Sequence, residues 1–138
     1  MNFEKWLRIL LQQTLPEWRA HYISYKLLKK QIKLIATANQ NNGGEKHFWS
    51  EGEINLDGLN GNEVKFIHLL NAELHKLNKF MEEKIGDCHI RLQVLKNKIQ
   101  QLNSATGKNK EVIRLGKDLV NFHGELVLLE NYSVWNYT

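Results

Sequence analysis

Five residues in one short stretch have the types and spacing for anion chemistry: Tyr22, Lys26, Lys29, Lys30 and Lys33. If the stretch is helical, with Tyr22 at zero and about 100° per residue, Lys26 falls near roughly 40°, Lys29 near −20°, Lys33 near 20° and Lys30 near 80°. The four ammonium groups and the phenol then share one stripe, and the apolar residues Ile23, Leu27, Leu28, Ile32, Leu34 and Ile35 take the opposite side. Like charges four apart destabilise a helix by about 0.2–0.5 kcal/mol per pair, a cost that a dense anion would remove. Lysine is a mobile point charge with three donors, suited to phosphates arranged around a ring, and a tyrosine hydroxyl adds a directional donor. Spacing alone fits a merely solvated lysine face equally well.

Other chemistry finds less support. His75 and His89 sit on a helical stretch and Cys88 adjoins His89, but no H-E-x-x-H or C-x-x-C spacing accompanies them, so no metal site is expected. There is no phosphate-loop motif and no G-x-S-x-G elbow, and Cys88 has no recognisable nucleophile setting. No catalytic residues are assigned, and the chain is not expected to be an enzyme. The lysine stripe lacks interleaved arginine and base-stacking aromatics, which argues against direct nucleic-acid binding.

The elements that would position this face follow from the apolar periodicity. Phe3, Trp6, Leu7, Leu10 and Leu11 predict a short amphipathic helix over Phe3 to Gln13. Pro16 breaks it and suits the first turn of a second helix, expected from about Glu17 to Ala36 and antiparallel to the first. Residues 37–61, rich in Asn, Gln and Gly, are expected to form a flexible loop, with Phe48 and Trp49 capping the core or meeting a partner. From Asn62 to Leu102 a three-and-four repeat of Phe66, Leu69, Leu70, Leu74, Leu77, Phe80, Met81, Ile85, Leu92, Leu95, Ile99 and Leu102 predicts one long core helix, weakened at Gly86 and Cys88. After a polar break, Lys110 to about Tyr132 predicts another, with Val112, Leu115, Leu119, Phe122, Leu126 and Leu129 facing in. The expected fold is all-α: an N-terminal helical hairpin (1–36) plus two long antiparallel core helices (62–138), in a single domain.

Composition agrees. The 138 residues are 42% hydrophobic and 25% charged, enough apolar surface for one folded domain. A single cysteine permits no internal disulfide and points to a reducing compartment, cytosol or nucleus. Glu4, Lys5 and Arg8 interrupt the first apolar run, so neither a signal peptide nor a membrane span is read there. The net charge of +4 is uneven: residues 1–37 hold Lys5, Arg8, Arg19 and the four stripe lysines against Glu4 and Glu17. An anionic partner should meet that end.

The run Thr14-Leu-Pro-Glu-Trp-Arg19, followed by Tyr22-Ile-Ser-Tyr-Lys-Leu-Leu-Lys-Lys30, resembles the opening of SPX domains, especially the stand-alone SPX proteins of plants. Phe66-Ile-His-Leu-Leu-Asn-Ala-Glu-Leu-His-Lys-Leu-Asn-Lys-Phe80 resembles that family's central helix, and Phe122-His-Gly-Glu-Leu-Val-Leu-Leu-Glu-Asn-Tyr132 its next one. The resemblance implies a sensor that binds inositol hexakisphosphate or an inositol pyrophosphate, with no other cofactor. Tyr22 and Lys26 match the family's phosphate-binding tyrosine and lysine, and Lys29, Lys30 and Lys33 match the surrounding lysine surface. The resemblance further implies a nuclear and cytoplasmic negative regulator whose partner is a MYB-type phosphate-starvation-response transcription factor.

Departures from the family pattern qualify this. Where the family begins Met-Lys-Phe-Gly-Lys, this chain has Met1-Asn2-Phe3-Glu4-Lys5, which removes a lysine and predicts reduced affinity. The family continues beyond the Asn-Tyr-Thr region into a lysine-rich L-K-K-x-D-K helix that supplies the facing half of the anion site, and then into a terminal hairpin, whereas this sequence stops at Thr138. Exposed apolar faces are the expected consequence, with a homodimer or domain-swapped arrangement as one outcome. Two further readings stay open: a degenerate copy without ligand binding that acts by helical dimerisation or partner titration, and an accessory domain of a larger enzyme or transporter.

Overall fold

The computed structural model describes residues 2–41, 61–103 and 109–137. All its regular elements are helical: α1 (Phe3–Gln13), a 3-10 helix (Pro16–His21), α2 (Tyr25–Asn41), α3 (Gly61–Asn103) and α4 (Asn109–Tyr137). The fold class and the order of elements are those expected, an N-terminal helical pair followed by two long helices. Of the expected loop 37–61, residues 37–41 complete α2 and Gly61 opens α3, while 42–60, with Phe48 and Trp49, lie outside the described residues. No helix of the described residues is long and apolar enough to cross a membrane.

The chain divides into two compact units, Met1–Tyr22 with Leu77–Thr138 and, separately, Ile23–Lys76. In the first unit, α1 starts on the side chain of Asn2, which accepts from the Glu4 N–H at 3.1 Å. Its last turn is closed by Arg19, whose Nε donates to the Leu11 carbonyl at 2.6 Å, a cation where the helix dipole favours one. Aromatic rings fill the centre. Trp18 meets Phe80 edge-on at 5.4 Å, and Phe80 lies 4.7 Å from Tyr132, which is fully buried and donates its hydroxyl to the His21 carbonyl at 2.8 Å.

Below these rings α3 and α4 run antiparallel. Tyr137 bonds Asn78, Arg91 pairs with Glu125 at 2.6 Å and Lys98 with Asp118 at 3.5 Å, so contacts descend one helix as they climb the other. Leu95, Leu115 and Phe122 form the buried cluster between them, with Cys88 and Leu102 packed against it.

Three expectations are corrected. The helix expected over Glu17 to Ala36 is two elements: Pro16 opens a 3-10 helix, Tyr22 takes extended backbone (φ −72°, ψ 158°), and helix resumes only at Tyr25. The cause is packing, because the Tyr22 ring is buried edge-on against Tyr132 at 5.0 Å, and the chain must leave the helical path to place it there. The second correction concerns which apolar residues face in. Leu115, Phe122 and Leu129 are buried as expected, but Val112, Leu119 and Leu126 of α4 and Leu74, Ile85, Leu92 and Ile99 of α3 are exposed, because each helix buries one narrow seam. The third is the end of α4, which runs past Tyr132 to Tyr137, since Asn136 is also buried and returns a bond from its Nδ2 to the Tyr132 carbonyl at 2.8 Å. Gly86 does not interrupt α3.

Candidate functional site

The lysines sit in the second unit, on α2. From Lys26 at zero, Lys29, Lys30 and Lys33 fall within roughly 60° on either side, and Leu28, Gln31 and Ile35 lie about 140–200° away. Burial follows that wheel. Leu28 and Gln31 are buried and Ile35 half-buried, whereas Lys26, Lys30 and Lys33 are exposed and Lys29 is half-buried. Leu27, Ile32 and Leu34, expected on the apolar side, flank the lysine face and are exposed.

What holds α2 in this orientation is largely polar. At its start the Ser24 N–H donates to Glu73 Oε2 at 2.8 Å, and Lys76 Nζ reaches the same oxygen at 2.7 Å and Ser24 Oγ at 3.1 Å. Burial alone would raise the Glu73 carboxyl, but the Lys76 ammonium and the Ser24 N–H outweigh it and hold the group below the ordinary carboxylate value. A carboxylate at the start of a helix also complements its dipole. About two turns further on, buried Gln31 donates Nε2 to the Asn62 carbonyl at 2.9 Å. Among the described residues of this unit, Leu28 and Ile67 are the buried apolar side chains. The arrangement presents lysines outward from a helix whose opposite side is fixed by directional bonds.

Tyr22 is not on that helix. It belongs to the first unit, where its ring is only 3% exposed, and burial pushes its phenol upward, an effect the nearby Thr14 hydroxyl partly offsets. The phenol is therefore a proton donor across the physiological range. The wheel that placed Tyr22 in line with Lys26 does not apply, since extended backbone at Tyr22 separates the two elements. The Ser24–Glu73–Lys76 cluster was not anticipated from sequence. A serine just ahead of a helix was its one visible signal, and nothing in the spacing pointed to its acidic partner, 49 residues on.

The first unit contains a cavity of about 220 Å³ lined by Trp18, Lys84, Asp87, Cys88, Arg91, Phe122, Glu125 and Leu129. Its charges are already matched: Arg91 pairs with Glu125, and Lys84 lies 3.9 Å from Asp87 and over the Trp18 ring at 5.5 Å. Burial, with Glu125 and Asp87 close by, pushes the Cys88 thiol up, away from the thiolate that nucleophilic chemistry needs. Among the described residues no group of three His, Cys, Asp or Glu side chains could hold a metal ion.

Comparison with known proteins follows the same residues. The model of the SPX domain matches residues 3–62, which include α1, the 3-10 helix and all of α2. SPX domain-containing protein 2 of Arabidopsis thaliana is 42% identical over 142 positions, covering 100% of this chain and 48% of that protein. SPX domain-containing protein 1 of the same plant is 40% identical over 138 positions, covering 100% of this chain and 52% of that protein. SPX domain-containing protein 1 of Oryza sativa subsp. japonica is 40% identical over 144 positions, covering 100% of this chain and 48% of that protein. The chain thus spans about half the length of the curated relatives it matches.

Proposed function

The chain belongs to the SPX domain family, and from that premise we propose that its α2 lysine face binds inositol hexakisphosphate or an inositol pyrophosphate. On this reading the protein is a regulatory binding module that senses cellular phosphate status. Its output is negative regulation of a MYB-type phosphate-starvation-response transcription factor, in nucleus and cytoplasm.

The observation that carries the reading is the placement of Lys26, Lys29, Lys30 and Lys33 on one arc of α2, opposite buried Leu28 and Gln31. Four ammonium groups within two turns repel one another, and a polyphosphorylated ring meets several at once while relieving that repulsion. Lysines on flexible stems adapt to phosphates at several ring positions, which suits a ligand family that varies in phosphate number. Tyr22 remains in the proposed site because the family resemblance implies it, although its ring is buried. Tyr22→Phe separates its two roles: loss of affinity at unchanged stability marks a phosphate contact, and unchanged affinity marks a packing residue.

The test is calorimetric titration of the 138-residue chain with inositol hexakisphosphate at two salt concentrations. Saturable binding that weakens as salt rises is the expected result, because exposed charges are screened over a Debye length of about 10 Å at 0.1 M. A folded chain that binds nothing at either salt concentration shifts the reading to a family member acting through protein contacts alone.

A further inference from the structure

The cavity of the first unit is bounded by three elements whose side chains differ in kind. Trp18 from the 3-10 helix, with Phe122 and Leu129 from α4, gives it apolar walls, each of these residues at most 8% exposed. Lys84, Cys88 and Arg91 line it from α3, spaced four and three residues apart and so on one helix face. Its volume of about 220 Å³ exceeds the roughly 150 Å³ that encloses a benzene molecule in a protein core, which leaves room for one aromatic ring and a small substituent.

The charges here balance, but the two cations are held differently. Arg91 is committed: it pairs with Glu125 at 2.6 Å and lies over the Phe122 ring at 5.4 Å. Lys84 has no such partner. Asp87 stands 3.9 Å away, beyond hydrogen-bonding distance, and its side chain is 69% exposed. The other neighbours of the ammonium are ring faces, Trp18 at 5.5 Å and Phe80 at 5.6 Å, which attract a cation without taking up its donors. Among the described residues no acceptor lies within hydrogen-bonding distance of Lys84 Nζ, although that side chain is only 31% exposed. A sheltered ammonium with three donors thus borders an aromatic cavity.

We propose that this cavity binds a small aromatic carboxylate, with its ring against Trp18 and Phe122 and its carboxylate on Lys84. The ring gains stacking contacts and removal from water. The carboxylate supplies the acceptor that Lys84 lacks, through charge-assisted hydrogen bonds, while the solvated Asp87 side chain turns outward. The Arg91–Glu125 pair, about two turns along α3 from Lys84, stays intact and closes the other end. An uncharged ligand of the same shape fills the same space but leaves the Lys84 donors unmet. The inference is independent of anion binding on α2, which uses the other unit and needs no ring to bury.

Cys88 is the single thiol of the 138-residue chain and lines the cavity, so its alkylation by iodoacetamide reports occupancy. At fixed ionic strength, phenylacetate is expected to slow that reaction saturably. Half-protection should come at a concentration roughly tenfold or more below that of phenylacetamide, its uncharged counterpart, the discrimination that a hydrogen bond to a charged group supplies. Lys84→Met keeps the apolar stem and loses the charge; it should leave the helical circular dichroism spectrum unchanged and bring the two compounds to the same concentration. Alkylation that neither compound slows, equal protection by both in the wild-type chain, or a preference for the acid that survives Lys84→Met overturns the proposal.

Discussion

The unit built from Met1–Tyr22 and Leu77–Thr138 closes mainly on rings and branched aliphatics, among them Trp18, Phe80, Phe122 and Tyr132, with Thr14 and Asn136 as the polar side chains buried beside them among the described residues. The Ile23–Lys76 unit buries Leu28 and Ile67, and beside them two polar side chains, Gln31 and Glu73, each hydrogen-bonded. The first is held by area removed from water, which is non-directional; the second depends on bonds with fixed geometry. The candidate anion face rides on the second. A helix that must point four like charges outward gains from a directional anchor on its opposite side, since slippage about the helix axis would scatter the lysines.

The largest effect expected from breaking this contrast lies in the apolar unit. Leu77 is completely buried, so Leu77→Ala should lower unfolding stability by about 2–5 kcal/mol in a denaturant titration. Glu73→Ala should cost about 1.5–3 kcal/mol, because it leaves the Ser24 N–H and the Lys76 ammonium without their acceptor. Hydrogen exchange sharpens the comparison: α2 amides should lose protection in that variant while those of α4 keep theirs.

The same carboxylate sets a pH dependence. Its folded-state pKa lies below the ordinary value of 4.5, so its contribution is complete above that value and is lost as pH falls through the depressed one. The stability difference between wild type and Glu73→Ala should therefore be constant from neutral pH to about 5 and shrink in acid. The smallest effect belongs to Arg91→Ala. Its pair with Glu125 is short at 2.6 Å, but the two side chains are 36% and 46% exposed, and such pairs contribute about 0.2–1 kcal/mol.

The elements that were legible in the sequence are those whose physics is periodic. Leu77, Phe80, Leu95, Leu115, Phe122 and Leu129 recur at helical spacing, and the structure buries them. The same periodicity over-counted, because Leu74, Ile85, Val112, Leu119 and Leu126 fit the repeat and remain exposed; spacing gives a helix face but not which of two adjacent faces meets a neighbour. The break at Tyr22 was hidden for a different reason. Pro16 announces a helix start, but what ends that helix is a ring contact with Tyr132, a residue 110 positions distant in sequence, and no local rule encodes it. Of the candidate site, the lysine arc was readable because it lies within one helix. The Ser24–Glu73–Lys76 anchor was not, because a hydrogen bond between separated segments leaves no mark in spacing.

The most direct measurement of the central claim is paired calorimetry and thermal unfolding of the Lys26→Ala, Lys30→Ala double variant beside the wild-type chain. The proposed lysine face predicts that binding of inositol hexakisphosphate disappears while the melting temperature holds or rises slightly, since two like charges leave an exposed arc. Wild-type affinity retained in a folded double variant would contradict it and place the anion elsewhere on the molecule.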